Sequence, residues 1–199
     1  FNDKGKPLKG GKGELVCKNP FPSMPLKFWN DKNDNKFKDA YFNRFSNIWH
    51  HGDFAEIKET KGFVIHGRSD TTLNPGGVRL GTAEIYSEVE KFKEIKESIV
   101  VGQSWDNDVR IVLFIVMNKK FSLTENLLKR IKIQIRKNAS PRHVPSKIIL
   151  VKDIPRTKSG KIVELAVKNT IEGNNIKNKE AVANPKVLEQ FKNLKELSV

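Results

Sequence analysis

Apolar residues recur at short intervals in the first third of the chain and predict strands. Residues 13–18 (GELVCK), 48–57 (IWHHGDFAEI) and 62–66 (GFVIH) carry β-branched and aromatic residues, and a polar turn separates the last two stretches. The prolines that follow the first stretch end it, because proline has no amide donor. Residues 37–45 predict a short helix.

The pattern after Gly67 predicts a small α+β unit with a few strands flanked by helices. Residues 109–117 (VRIVLFIVM) are apolar almost throughout, so we expect a central strand covered on both faces. Leu127, Leu128, Ile131 and Ile135 recur at helical spacing after Thr124. The predicted elements are a helix at 82–92 capped by Thr82, strands at 98–102, 109–117 and 147–151, helices from Thr124 and at 162–171, and an amphipathic stretch at 187–197.

Residues 67–81 (GRSDTTLNPGGVRLG) separate the two patterns. Glycine, serine, threonine and asparagine dominate this stretch and favour a loop. We therefore predict two domains, 1–67 and 68–199. The first has short strands and no evident core of its own.

Composition narrows the class of protein. The 199 residues are 37% hydrophobic, and none of the apolar runs approaches the roughly 18 residues of a membrane span. The single Cys17 has no disulfide partner in the chain, so we expect a reducing, cytoplasmic setting. We expect no membrane partner.

The net charge of +14 favours anionic partners. A nucleic-acid-binding module without enzymatic activity is one alternative, and it predicts steeply salt-dependent binding to RNA or DNA. Such a module typically has aromatic residues among its basic ones, whereas Phe191 is the only aromatic residue after residue 122. The charge does not choose between a nucleotide, RNA and an acidic surface, but the scarcity of aromatic residues disfavours nucleic acid, and we expect no nucleic-acid partner.

Residues 155–161 (PRTKSGK) bring three cations and a glycine together after an apolar run. The stretch lacks the first glycine of a P-loop, and no serine or threonine follows Lys161. Composition alone leaves two interpretations open, a solvated basic turn and a loop that contacts an anion.

Asp53 follows a glycine in the stretch WHHGD. A carboxylate in this setting can accept two hydrogen bonds from a ribose diol, and a turn aspartate bonded to its own backbone is the alternative. His50 and His51 are adjacent, so they point to opposite faces of a strand, and no cysteine or acid lies at ligand spacing. We predict no metal site.

The glycine-rich stretch 67–81 places Arg68 and Arg79 on either side of Gly76 and Gly77, where the backbone can approach a ligand closely. Asp70 lies where a change of backbone dihedral would rotate everything after it. An ordinary surface loop is the alternative.

Taken together and in this order, the three motifs resemble the C-terminal part of the acyl-CoA synthetases of the adenylate-forming (ANL) superfamily. HGD resembles the ribose-binding TGD of that superfamily, with His51 in place of the usual threonine. GRSDTTLNPGGVRLGTAEIY resembles its hinge motif, and PRTKSGK resembles its catalytic-lysine segment. The branch of the superfamily that activates acetoacetate is the most similar, in the stretches GELVCKNPFPSMPLKFWND, RHVPSKI and VELAVK.

The resemblance implies that the chain is a fragment. Residues 1–67 would be the β-rich end of a large N-terminal AMP-binding domain, and residues 68–199 a mobile C-terminal domain with its hinge at Asp70. The acyl pocket would lie in the rest of the large domain, which is the expected partner, so we expect the fragment alone to be inactive. A ligase for another short- or medium-chain acid is the alternative within the superfamily.

The resemblance also implies the roles of single residues. Lys161 would be catalytic, with Ser159 and Gly160 keeping its loop supple. The residues implied to bind the nucleotide are Asp53, Arg68 and Arg79, and those implied to bind coenzyme A are Gly76, Gly77 and, in the basic stretch IRKNASPRH, Arg136. The implied co-substrates are ATP, which is converted to AMP and accompanied by Mg²⁺, and coenzyme A.

Overall fold

The computed structural model describes residues 1–176 and 179–198 and divides into two compact units, Phe1–Asp70 and Thr71–Val199. The elements in chain order are β1 (Gly11–Cys17), α1 (Asn35–Tyr41), β2 (Trp49–Ile57), β3 (Phe63–Arg68), α2 (Thr82–Val89), β4 (Ile95–Trp105), β5 (Asp108–Met117), α3 (Glu125–Asn138), β6 (Lys147–Leu150) and α4 (Glu164–Ile171). Among the described residues, no helix combines the length and the apolar character needed to cross a membrane.

The first unit is built on a three-stranded antiparallel sheet in the order β1-β2-β3. The predicted hairpin of β2 and β3 is confirmed, and its turn is closed by the Lys58 amide, which donates to the Gly62 carbonyl at 2.9 Å. Aromatic rings from α1 and from the segments on either side of it pack on Trp49, and the Tyr41 ring stacks on the indole with centroids 3.7 Å apart. Few other apolar side chains of this unit are buried, in agreement with the weak core expected from its sequence.

In the first unit, the helix and the end of β3 differ most from the sequence prediction, and the bounds of β1 and β2 differ by one or two residues. The short helix begins earlier and ends at Tyr41, because the Asp31 carboxylate accepts from the amides of Lys36 and Phe37 and fixes the first turn. Gly67 and Arg68, predicted as loop, are the last residues of β3, because their backbone pairs with Phe54 and Asp53 of β2. The compact units divide after Asp70, and the assignment of the first unit to a larger domain stays a prediction.

The second unit contains the α+β arrangement expected from the sequence. Its sheet has the order β4-β5-β6, in which β4 and β5 form an antiparallel hairpin and β6 lies parallel to β5. Asp106 and Asn107 make the hairpin turn with positive φ angles of 49° and 58°. This is the conformation that a two-residue turn needs to match the twist of its strands.

The two faces of β5 explain why its sequence is apolar almost throughout. Alternate side chains point to opposite faces of a sheet. Ile111, Leu113 and Ile115 belong to a core shared with α2 and α3. Val112, Phe114 and Val116 belong to a second core, shared with α4 and the C-terminal segment. The prediction of a central, doubly covered strand is confirmed.

The starts of two helices show different capping. Thr124 accepts from the Leu127 amide at 3.2 Å and caps α3 as predicted. Thr82 does not cap α2, because Gly81 occupies that position and its amide donates to the Glu84 carboxylate at 3.2 Å. Thr82 is instead buried as the first helical residue.

The C-terminal segment packs on the second core as short 3₁₀ turns. These turns are Lys179–Ala181, Pro185–Phe191 and Lys195–Leu197. Leu188, Phe191 and Leu197 are buried, and the Phe191 ring meets the Phe114 ring edge to face at 4.9 Å. The amphipathic character of this stretch is therefore confirmed.

Two isoleucines of α3 give a matched test of the first core. Ile131 is fully buried, whereas Ile133 is 64% exposed. We expect Ile131→Ala to lower the free energy of unfolding by about 2–5 kcal/mol, because it removes buried methylene groups and leaves a cavity. Ile133→Ala should change it by less than about 0.5 kcal/mol. Urea denaturation of the chain measures both, and equal effects would contradict the assigned helix face.

Candidate functional site

The PRTKSGK stretch folds as a tight hairpin that presents Lys161. The Thr157 amide donates to the Lys161 carbonyl at 2.8 Å, and the Lys161 amide donates to the Thr157 hydroxyl at 3.0 Å. Gly160 has a φ of +84°, a conformation that side-chain-bearing residues adopt at a cost. Arg156 and Ile162 pair as an isolated antiparallel bridge at the base of the hairpin.

The C-terminal segment holds the outer side of this hairpin. The Lys158 amide donates to the Ala181 carbonyl at 3.2 Å, and the Ala183 amide donates to the Arg156 carbonyl at 2.8 Å. The Asn184 side chain accepts from the Arg156 amide at 3.0 Å. The loop that we expected to be supple is thus hydrogen-bonded along its backbone, so the freedom of Lys161 resides in its side chain.

The partly buried Tyr86 connects the helix that follows the hairpin to β4. The Tyr86 hydroxyl donates to the carboxylate of Glu164, the first residue of α4, at 2.6 Å and accepts from the Val100 amide at 3.0 Å. Burial raises the pKa of Tyr86 well above its ordinary value, and the neighbouring Glu164 adds to the effect. The hydroxyl therefore stays protonated and continues to donate at physiological pH.

The Lys161 side chain is exposed and forms no ion pair with any of the residues that the structure describes. None of these residues neutralises the positive charge of Lys161, although the backbone of its hairpin is fixed by hydrogen bonds. An ammonium in this state can contact an anionic ligand at a defined position.

In the first unit, Asp53, Arg68 and Asp70 lie together. Asp53 is within β2, opposite the last residue of β3, and therefore does not end its strand. The Arg68 guanidinium lies 3.4 Å from the Asp53 carboxylate and 3.6 Å from that of Asp70. His51 Nδ1 lies 2.5 Å from the other Asp53 oxygen. Carboxylate oxygens accept several hydrogen bonds each, so Asp53 retains acceptor capacity for a ligand hydroxyl.

Gly52 leaves room for the Arg68 side chain. Gly52 has a φ of +84°, and a Cβ atom there would lie 2.7 Å from Arg68 Nη2. The Arg68 Nη1 atom also donates to the His51 carbonyl at 3.3 Å. The glycine of the HGD motif thus lets the guanidinium lie across the strand.

A second polar cluster was missed by sequence reasoning. The buried Glu14 carboxylate forms an ion pair with Arg44 at 2.9 Å, lies 2.8 Å from His50 and accepts from the Ser69 hydroxyl at 2.5 Å. His50 and His51 therefore face opposite sides of β2, as predicted. Ser69 precedes Asp70, so Glu14 anchors the backbone immediately before the predicted hinge. The only sequence signal was a glutamate at an inward position of a predicted strand.

The loop that contains Gly76 and Gly77 is closed by a backbone bridge. Leu73 and Leu80 exchange two hydrogen bonds of 2.9 and 2.8 Å, and both side chains are buried. The Gly76 amide donates to both oxygens of the Asp108 carboxylate at 2.9 and 3.0 Å. Gly76 and Gly77 have φ angles of +58° and +73°, and a Cβ atom on either would point into open space.

The remaining predicted cations lie on separate elements of the second unit. Arg79 donates to the Thr72 hydroxyl at 3.1 Å, and Arg136 is exposed in the last turn of α3. An open cleft of about 410 Å³ adjoins the glycine loop and includes Trp105, Arg110 and Arg142. Arg110 is not available to bind a ligand, because its guanidinium stacks on the Trp105 indole at 3.7 Å and donates to the Leu197 carbonyl.

The comparisons with known proteins agree with this geometry. Residues 84–161 match the family described as the AMP-binding enzyme C-terminal domain. The matched segment begins in α2 and ends at Lys161, so it contains most of the first core and the hairpin residues up to Lys161.

Relatives extend the similarity over nearly the whole chain. The chain is 60% identical over 197 residues to the acetoacetyl-coenzyme A synthetase of Rhizobium meliloti (strain 1021) and 48% identical over 199 residues to the acetoacetyl-CoA synthetase of Xenopus tropicalis. These alignments cover 99% of the chain and 30% of each relative. The acetoacetyl-CoA synthetase structure from Streptomyces lividans superposes with a TM-score of 0.91 at 39% identity, over 100% of the chain and 30% of that protein. The chain thus spans about a third of the length of these relatives.

Gly52 and Gly62 give a matched test of the close approach between Gly52 and Arg68. We expect Gly52→Ala to lower the free energy of unfolding by about 1 kcal/mol or more, because alanine is strained at positive φ and would displace the Arg68 guanidinium. Gly62→Ala should be neutral or mildly stabilising, because its Cβ would meet only the Thr60 hydroxyl at 3.6 Å. Urea denaturation of both variants measures the difference, and a neutral Gly52→Ala would contradict the close approach.

Proposed function

We propose that this chain is the C-terminal part of an ATP-dependent acid–CoA ligase that acts through an acyl-adenylate, with acetoacetate as the acid. The observation that carries the proposal is the exposed Lys161, which has no ion pair within residues 1–176 and 179–198, on a backbone-anchored hairpin. The relatives named acetoacetyl-CoA synthetase support the choice of reaction and acid.

In the first half-reaction, a carboxylate oxygen of the acid attacks the α-phosphorus of ATP and pyrophosphate leaves. Negative charge accumulates around the α-phosphate and the attacking carboxylate. The Lys161 ammonium would stabilise this charge, and removing one such contact typically costs about 10²–10³ in rate. Because the hairpin is already hydrogen-bonded, little reorganisation is needed when the charge develops.

The Asp53 cluster would hold the nucleotide. The Asp53 carboxylate would accept hydrogen bonds from the ribose hydroxyls, and its contacts with His51 and Arg68 fix the orientation of its oxygens. Arg68 would place its charge near the ribose or phosphate. His51 thus takes part in the motif by orienting the carboxylate.

In the second half-reaction, the thiolate of coenzyme A attacks the acyl carbon and AMP leaves. We propose that a backbone rotation at Asp70 withdraws Lys161 and brings the loop of Gly76 and Gly77 to the pantetheine chain. The open space beside both glycines leaves room for a thin ligand. Arg79 and Arg136 would contact phosphate groups in this state.

Mg²⁺ would accompany ATP as a substrate complex. No group of three or more His, Cys, Asp or Glu side chains that could hold a metal ion occurs in residues 1–176 and 179–198. Oxygen atoms of the triphosphate are hard ligands of the kind that Mg²⁺ prefers. The chain's own residues would therefore bind the nucleotide and leave the cation to the phosphates.

The identity of the acid is tested by assaying the full-length ligase with a panel of short- and medium-chain acids. We expect the highest kcat/KM with acetoacetate. A higher value with another acid would replace acetoacetate and leave the assigned reaction intact.

Lys161→Ala tests the catalytic assignment. In the full-length ligase we expect the rate of adenylate formation, measured by ATP–pyrophosphate exchange, to fall by a factor of about 10²–10³. Thioester formation from supplied acyl-adenylate should persist, because Lys161 is withdrawn in that step. Lys158→Ala is the matched control, since Lys158 is an exposed cation of the same hairpin. Equal loss of both half-reactions in Lys161→Ala would refute the division of roles.

Asp70→Pro tests the hinge. Proline fixes φ near −65°, so we expect thioester formation to be lost while adenylate formation persists. Asp70→Ala keeps the backbone free and should support both half-reactions. Normal overall turnover of Asp70→Pro would show that the rotation takes place elsewhere.

A further inference from the structure

Arg156 lies five residues before Lys161, and its guanidinium joins the hairpin to the sheet. Arg156 Nη1 donates to the Gly160 carbonyl at 2.8 Å. Arg156 Nη2 lies 3.2 Å from the carboxylate of Glu97, which belongs to β4. About a third of the Arg156 side chain and a quarter of the Glu97 side chain are exposed, so the pair is partly shielded from water.

The backbone of Arg156 is fixed as well as its side chain. Its amide donates to Asn184 Oδ1 at 3.0 Å, and its carbonyl accepts from the Ala183 amide at 2.8 Å. Both ends of the residue are therefore held, the backbone by the C-terminal segment and the guanidinium by Glu97.

Holding the Gly160 carbonyl has a direct consequence for Lys161. The carbonyl of Gly160 and the amide of Lys161 belong to one planar peptide group. Arg156 binds the carbonyl oxygen of this group, and the Thr157 hydroxyl accepts from its amide. Because Gly160 has no side chain to limit its backbone, these two contacts set the orientation of the plane. The plane in turn sets the direction in which the Lys161 side chain leaves the hairpin.

We propose that Arg156 and Glu97 are positioning residues for Lys161. Arg156 transmits the fixed position of β4 to the peptide group before Lys161, and Glu97 keeps the guanidinium in place and offsets its charge. This inference rests on the proposed role of Lys161 in adenylate formation. The inference gives Arg156, a second cation of the hairpin, a role that does not require it to contact the substrate.

The test compares Arg156→Lys and Glu97→Gln in the full-length ligase, with Lys158→Gln as the control. A lysine keeps the charge of Arg156 but cannot reach both partners with a planar fork. We expect each test variant to slow adenylate formation by about tenfold or more, since small misplacements of a reacting group are costly. Thioester formation from supplied acyl-adenylate should stay within about twofold, a split that general destabilisation would not produce.

A double variant and an exchange measurement complete the test. The combined Arg156→Lys and Glu97→Gln variant should be little slower than either single variant, because both act through one contact. Deuterium uptake by the peptide that covers residues 157–161 should rise in both single variants and stay unchanged in Lys158→Gln. This readout does not depend on activity.

Four results would overturn the proposal. The first two are a rate of adenylate formation in the test variants close to that of the unchanged protein, and an equal loss of rate in both half-reactions. The other two are unchanged deuterium uptake, and slower adenylate formation in Arg156→Lys without a slower rate in Glu97→Gln. The last result would place Arg156 against the substrate itself. Lys161→Ala measured alongside separates the two levels of inference. If Lys161→Ala loses adenylate formation while Arg156→Lys does not, only the positioning role fails. If Lys161→Ala retains adenylate formation, the proposed function fails.

Discussion

Lys161 is held in place through its backbone and by no ion pair with any described residue, and this arrangement suits the anion-binding role that we propose for it. An opposite charge beside the ammonium would compete with an anionic ligand. Here the backbone is held instead, through the hydrogen bonds between Thr157 and Lys161 and those from the Ala183 and Asn184 region. The ammonium remains exposed while its attachment point is fixed.

The hairpin in turn depends on the doubly covered strand β5. Because β5 carries apolar side chains on both faces, the sheet is packed against α2 and α3 on one side and against α4 and the C-terminal segment on the other. The segment that packs on the second core also supplies the backbone groups that hold the hairpin. Burial of Leu188 and Phe191 therefore stabilises the position of a loop that contains neither residue.

Hydrophobic periodicity was sufficient to predict most of the fold. The apolar run of β5, the helical spacing of Ile131 and Ile135 and the cap at Thr124 are local features, and each was found as expected. The continuation of β3 through Arg68 was missed, because it depends on pairing with β2, which the local sequence does not show. Capping at Gly81 was missed although its partner Glu84 is three residues away, because glycine has no capping side chain and Thr82 is the more typical cap.

The same distinction applies to the candidate site. The motifs identified Lys161, Asp53 and the glycine pair, because these residues stand in short stretches of recognisable composition. Two acids that contact the same regions were not identified: Glu14 accepts from Ser69 next to Asp70, and Glu97 pairs with Arg156 of the hairpin. Both are far from their partners in sequence and are ordinary strand residues by pattern. Every contact described for Asp53 lies within residues 1–70, and every contact described for the hairpin lies within residues 71–198. Each set is therefore held by its own unit, so the backbone rotation that we propose at Asp70 would replace the hairpin by the loop of Gly76 and Gly77 without rebuilding the Asp53 cluster or the hairpin.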